Sequence, residues 1–270
     1  MSWITAWRRH PAAGYAVVVL GLVLIGGIYA ALASSSAPAA ADAPNPSTQD
    51  IAQGRQMCNE TCATCHGANA EGTARGPSLI GVGAAAVDFQ VSTGRMPAKN
   101  QGPQMPEKKP VFSPAQTRQI AAYIASLGGG PPIPAPEQVD PAGADVGLGG
   151  QLFSTNCAAC HNIAGAGGAL TYGKYAPPLT SATPAQIYEA MQTGPESMPV
   201  FNDSMITPSQ KRALIRYITQ TRTEKNPGGF SLGRVGPVTE GLVAFLAGIA
   251  ALVFAAMWIA AKNPRHYTRR

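Results

Sequence analysis

The 270-residue chain is short of charge, of histidine and of cysteine. Only 13% of its residues are Asp, Glu, Lys or Arg, about half the roughly 25% of an average soluble domain. Its 45% hydrophobic content excludes the high-charge, low-hydrophobicity composition that keeps chains disordered. Four His and five Cys are a small stock for metal or nucleophilic chemistry, so the place of each one decides the function. What the chain has instead is Gly and Pro, 30 and 24 residues, which leaves little room for one large compact core. The length allows one or two domains of roughly 100–200 residues each.

The formal net charge of +6 invites a nucleic-acid reading, and the placement of the charges removes it. Residues 15–32 and 241–261 contain no charged residue, and each run is close to the ~20 apolar residues that span a bilayer. Between them, residues 36–236 hold 14 Lys and Arg against 13 Asp and Glu. The ends carry the surplus: Trp7, Arg8 and Arg9 before the first run, and Trp258, Lys262, Arg265, Tyr267, Arg269 and Arg270 around the end of the second. Basic and aromatic flanks mark the cytoplasmic interface. The expected topology is therefore a plasma-membrane protein with two transmembrane helices, both termini cytoplasmic, and everything between them on the extracytoplasmic face. A cleaved signal peptide competes for the first run, because small residues follow in LASSSAPAAADA. An uncleaved anchor is preferred, since the run exceeds the usual 7–15-residue signal core.

Two segments between the runs repeat one another. Gly54, Gln56 and Cys62–His66 (CATCH) align with Gly149, Gln151 and Cys157–His161 (CAACH) at an offset of 95. Pro77 and Leu79 align with Pro177 and Leu179, Thr93-Gly94 with Thr193-Gly194, and Ser113-Pro114-Ala115-Gln116 with Thr207-Pro208-Ser209-Gln210. In each copy, residues 51–61 or 146–156 predict a helix leading into the Cys motif, and a middle helix ends at Gly94 or Gly194 as a glycine cap. A last helix starts with Ser113 or Thr207 as N-cap, Pro at N1 and Gln at N3. Ile120, Tyr123, Ile124 and Leu127, matched by Leu214, Tyr217 and Ile218, give it a helical apolar stripe. The predicted fold is all-α. The expected organisation is a cytoplasmic N-terminus and anchor (1–35), a linker (36–49), a first domain (50–127), an extended, semi-rigid Pro/Gly-rich linker (128–144), a second domain (145–225), a linker (226–237), a transmembrane helix (238–261) and a basic cytoplasmic tail (262–270). Domains this small bury little of their own surface, so something large and apolar is expected to complete each core.

Cys-x-x-Cys-His is the attachment signature of c-type haem. Cys62 and Cys65, and again Cys157 and Cys160, are spaced to bond the two vinyl groups on one edge of a haem, with His66 and His161 placed to ligate the iron. A thioredoxin-type pair needs a βαβ context that is absent. A zinc site of Cys58, Cys62, Cys65 and His66 is disfavoured because the second copy has Phe153 where Cys58 stands. Cys58 itself reads as a buried core thiol, with a reactive or lipid-modified thiol as the alternative. Bis-His ligation is excluded within the chain, because His10 and His266 lie on the other side of the membrane in the expected topology. Met is then the partner, and a Met/His pair raises a haem's potential. Met96 in TGRMP and Met198 in TGPESMP are the expected ligands, with Met105 and Met205 as rivals; Met191 and Met57 read as packing residues. Pro77 and Pro177 are candidates for the backbone carbonyl that accepts the second imidazole N–H.

On these motifs the chain resembles class I cytochrome c twice over, across residues 50–127 and 145–221. The whole arrangement of anchor, two modules and anchor resembles the dihaem cytochrome c subunit of actinobacterial cytochrome bcc complexes. The resemblance implies two covalently bound haem c groups and membership of a menaquinol–cytochrome c reductase, a translocase in which this chain supplies electron transfer only. It further implies relay from a Rieske iron–sulfur subunit, beside a cytochrome b subunit, to an aa-type cytochrome oxidase. Membrane lipid is the other expected partner, and nucleic acid is not one. The alternatives are a dihaem donor subunit of a cbb-type oxidase, which usually has only an N-terminal anchor, and the cytochrome subunit of a periplasmic dehydrogenase. A peroxidase would need an open or His-ligated iron.

Overall fold

The computed structural model describes residues 46–224 and 237–261, with Tyr15, residues 18–25 and Gly27 of the first apolar run, which are helical. The expectations for the remainder of that run, its basic flank, residues 28–45, residues 225–236 and the tail 262–270 lie outside the described residues. The chain divides into two compact units, Met1–Asn45 and Pro46–Arg270.

The second unit carries helices α1 (Thr48–Thr61), α2 (Ala63–His66), α3 (Gly83–Ser92), α4 (Pro114–Ser126), α5 (Pro136–Val139), α6 (Val146–Asn156), α7 (Ala158–His161), α8 (Pro184–Thr193), α9 (Pro208–Thr223) and α10 (Pro237–Ala261). The start signals act as their chemistry requires. Ser113 and Thr207 each accept the N3 backbone N–H, while the Gln116 and Gln210 side chains accept from the N-cap backbone. Thr183 and Gln186 do the same for α8. α1 starts earlier than the sequence reading placed it, because Ser47 and Asp50 form a further capping box.

The all-α expectation needs one correction. Gly168–Ala169 and Tyr175–Ala176 pair as a short antiparallel ribbon, in register Gly168 to Ala176, so the fold is mostly helical rather than wholly so. The ribbon lies in the loop between α7 and α8 and satisfies part of that loop's backbone locally.

The two repeats build two apolar clusters. The first gathers Cys58, Val87, Val91, Ile120, Tyr123 and Ile124, and the second Phe153, Ile187, Tyr188, Met191, Leu214 and Ile218. In each, the first helix crosses the last at a glycine. A Cβ on Gly54 would stand 2.0 Å from the Gln119 carbonyl oxygen, and one on Gly149 2.1 Å from that of Ala213. Only a residue without a side chain permits this approach. Gly149→Val is expected to lower stability by at least about 1–3 kcal/mol through overpacking, read as a fall in the thermal midpoint by circular dichroism; an unchanged midpoint would mean the crossing has slack.

The Pro/Gly-rich segment between the repeats is hydrogen-bonded to the helices beside it. Pro131 O accepts the Ala85 N–H of α3 at 3.0 Å. Gln138 on α5 donates to the Tyr188 hydroxyl at 3.2 Å, and Arg212 donates to the Asp140 and Ala142 carbonyls, both at 3.0 Å. Proline stiffness favours an extended segment, and these bonds fix where it runs. The repeats also touch directly. α3 packs on α8, Gln186 donates to Ser92 at 3.3 Å, and the Gln104 amide exchanges two 2.8 Å hydrogen bonds with the Tyr175 backbone.

α10 has 25 residues, roughly 37 Å at 1.5 Å per residue, which exceeds the ~30 Å hydrocarbon core. Its Thr239–Ala261 stretch has a mean hydropathy of 2.5, and its Leu, Phe, Ile and Trp side chains are exposed. Among the described residues it is the one helix long and apolar enough to cross a membrane.

Candidate functional site

Each Cys-x-x-Cys-His motif forms a single helical turn added to the end of a longer helix. The Cys62 N–H closes α1 on the Cys58 carbonyl at 2.8 Å, and the His66 N–H returns to the Cys62 carbonyl at 2.9 Å. Cys157 and His161 repeat this pattern at 2.8 and 2.9 Å. One turn therefore carries both thiols and the imidazole.

The ring orientation is set by the prolines. His66 Nδ1 lies 2.7 Å from Pro77 O, and His161 Nδ1 lies 3.0 Å from Pro177 O. A carbonyl only accepts, so Nδ1 carries the proton and Nε2 keeps its lone pair for a metal. Burial holds the His161 pKa below its ordinary value, the Pro177 bond opposing it, which favours the neutral, ligating form.

The thiols sit in different surroundings. The Cys58 thiol hydrogen-bonds Cys62, and this brings Cys62 down to about 7 while Cys58 is raised. Burial pushes Cys157 up to about 11, with Cys160 adding to it. Cys58 is 5% exposed and packs in the first cluster; its counterpart Phe153 is likewise buried, as a core position requires. Among the described residues, no three His, Cys, Asp or Glu side chains converge as a metal centre, so the zinc arrangement has no geometry.

In the second segment Cys157, Cys160, His161 and Met198 line one cavity of about 170 Å³. Its walls are mostly apolar, with Phe153, Leu179, Ile187, Leu214 and Ile218 among them. Met198 also packs on the second cluster, whereas Met205 is 62% exposed. Met191 is buried in the core. In the first segment Cys62, Leu79 and Met96 pack together against the first cluster. Met105 instead turns to the other repeat, its backbone N–H donating to the Glu196 carboxylate at 3.2 Å.

Two thiols, an imidazole with a free Nε2 and a thioether around an apolar cavity suit a covalently held haem with Met/His ligation. The donor set fits the group that the motifs imply. Five residues of the first segment that sequence reasoning did not place, Phe89, Thr93, Arg95, Gln104 and Glu107, also line the second segment's cavity. No spacing rule reaches across 60 residues, so nothing in the sequence signalled them.

Comparison with known proteins follows the same division. The family described as cytochrome c oxidase, cbb3-type, subunit III matches residues 49–124 and again 144–218. The cytochrome bc1 complex cytochrome c subunit of Corynebacterium efficiens is 42% identical across 94% of this chain and 90% of its own length. That of Mycobacterium bovis is 42% identical across 94% and 92%. The cbb3-type cytochrome c oxidase subunit FixPc of Rhizobium leguminosarum is 34% identical, but over only 41% of this chain and 39% of its own.

Proposed function

Since the chain belongs to the family of cytochrome bc1 complex cytochrome c subunits, we propose that it is the dihaem relay of such a complex, carrying electrons from a Rieske iron–sulfur subunit to an aa-type terminal oxidase. Its role in respiratory electron transfer follows from the family, and its cytochrome c segments imply covalently bound haem c. The observation that carries the reading is the duplicated set of Cys-x-x-Cys-His turn, proline carbonyl and Met-Pro loop. Cys62 and Cys65 hold one haem through thioether bonds, and Cys157 and Cys160 the other. His66 with Met96, and His161 with Met198, would ligate the two irons.

Haem c, when bound, supplies one-electron exchange between ferric and ferrous iron. The chain does the rest. Pro77 and Pro177 hold the imidazoles in one tautomer and orientation. Met96 and Met198 would ligate the irons and so keep oxygen and peroxide from binding there. The apolar walls exclude water, and α10 tethers the unit to the membrane. Two spans, cytoplasmic termini and extracytoplasmic haem segments complete the proposed topology. The two apolar runs lack Asp, Glu, His, Lys and Arg, so proton translocation is assigned to partner subunits, cytochrome b among them.

A donor subunit of a cbb-type oxidase is the second reading, favoured only by the family description of the two matched segments. The C-terminal helix and the full-length likeness to bc1 subunits favour the first. Denatured protein is expected to hold two covalent haems per chain, falling to one in Cys157→Ala/Cys160→Ala; one haem in the unaltered chain would sink the double assignment. A C-terminally tagged chain in mild detergent is expected to bring down cytochrome b and Rieske subunits, whereas an oxidase alone would favour the second reading.

A further inference from the structure

The cavity lined by Cys157, Cys160, His161 and Met198 is completed by the other repeat, with Arg95 of the first segment in its wall. Arg95 is 6% exposed. Its guanidinium lies over the Phe89 ring, 5.0 Å from the centroid. One terminal nitrogen, Nη2, stands 4.0 Å from the carboxylate of Glu107, which is itself 52% exposed. The other, Nη1, is buried and has no hydrogen-bond partner. A buried charged donor without an acceptor is costly, and one long contact to a half-exposed carboxylate does not meet that cost. Among the described residues between the repeats, the buried Glu189 and the half-buried Asp88 face each other. Arg95 therefore stands in the cavity wall with one guanidinium nitrogen unpaired and only a long contact to an anion.

We propose that Arg95 binds a propionate of the haem held by Cys157 and Cys160, so that the first segment supplies the counter-charge for the second segment's haem. The inference rests on the reading that this cavity holds haem c, a dicarboxylate. Guanidinium and carboxylate match as a fork-shaped pair, and Nη1 is the arm left open for it. The position in the chain adds a consequence. Arg95 immediately precedes Met96, the ligand proposed for the first haem, on a turn pinned by the Met96 N–H to the Gln90 carbonyl at 2.9 Å. One dipeptide then serves both haems, and their relative placement is tied to the contact between the repeats. A buried cation beside a haem favours the state with one more electron, so Arg95 raises the potential of the second haem.

The test is a spectroelectrochemical titration of the full chain purified in detergent. Met198→Leu identifies the second-segment haem by loss of its Met–iron absorption. Arg95→Gln is expected to shift the reduction equilibrium of that haem at least tenfold towards the ferric form, about 59 mV for one electron, while Arg95→Lys retains most of the potential. Glu107→Gln, at a half-exposed site, is expected to move the same haem in the opposite direction by unmasking the cation. It decides the matter should Arg95→Gln fail to assemble. A shift confined to the first-segment haem, or none in either Arg95→Gln or Glu107→Gln, would overturn the proposal. A covalent haem count below two, or Met–iron absorption unchanged in Met198→Leu, would instead overturn the site reading beneath it.

Discussion

Met198→His is expected to lower the potential of the second-segment haem by a large part of the ~0.8 V over which axial ligands move haem iron. A thioether is a weak donor that favours ferrous iron, and an imidazole favours ferric. The loop that presents Met198 is held at both ends. Gly194 closes α8 in the left-handed region at φ 58°, the Met198 N–H donates to the Pro195 carbonyl at 3.0 Å, and the Phe201 N–H donates to the Met191 carbonyl at 2.7 Å. With the loop so fixed, the substitution exchanges one donor for another without freeing the chain. Redox titration would show one component falling and the other unmoved, together with loss of the Met–iron absorption. Met205→His, at a 62% exposed position, is expected to change neither. An unmoved potential in Met198→His would place the sixth ligand elsewhere.

Glu189→Gln is expected to raise stability near neutral pH and to flatten its dependence on pH. Glu189 lies on α8, fully buried, with neither carboxylate oxygen receiving a donor. It faces Asp88 of α3, and Arg118 of α4 acts electrostatically on Asp88. Burial first, and then the Asp88 charge, push Glu189 up to about 9; burial raises Asp88 as well, with the Glu189 bond and Arg118 opposing. Glu189 thus keeps its proton at neutral pH, beside Asp88. An unfolded Glu ionises near ~4.3. The native state therefore binds one more proton than the unfolded state from about there up to about 9, and stability falls as pH rises through that window. The slope is about 1.4 kcal/mol per unit, on the order of 3 kcal/mol by pH 7. Gln keeps a donor for Asp88 and does not titrate. Denaturation midpoints between pH 5 and 9 would separate the two proteins; parallel curves would mean that the Glu189 carboxyl is solvated and ionised in the folded chain.

The parts legible in the sequence are those written in local order. Ser113, Thr207 and their Gln partners mark helix starts because a capping box is complete within four residues. Thr183-Pro184-Ala185-Gln186 carries the same signal, and the same rule applied there finds the start of α8. Pro77 and Pro177 could be named as acceptors for His66 and His161 because the repeat kept both at matching places, and their oxygens lie at 2.7 and 3.0 Å. α3 is the opposite case. It has no side-chain cap, and the Ala85 N–H is met by Pro131 from a segment that composition alone marked as a semi-rigid linker.

The sequence by itself determined the family's chemistry: two Cys-x-x-Cys-His turns, a His and Met stock that restricts the ligands, and charge-free runs that place the basic residues at the ends. Such features are local or arise from counting, and one chain suffices to read them. Only the tertiary structure decided how the repeats meet. The linker's bonds to α3, α8 and α9, the Gln104–Tyr175 pairing, the Asp88–Glu189 pair and Arg95 in the wall of the other segment's cavity all join residues tens of positions apart. Burial and pairing across such distances depend on which surfaces the folded helices bring together, and spacing along the chain does not encode them.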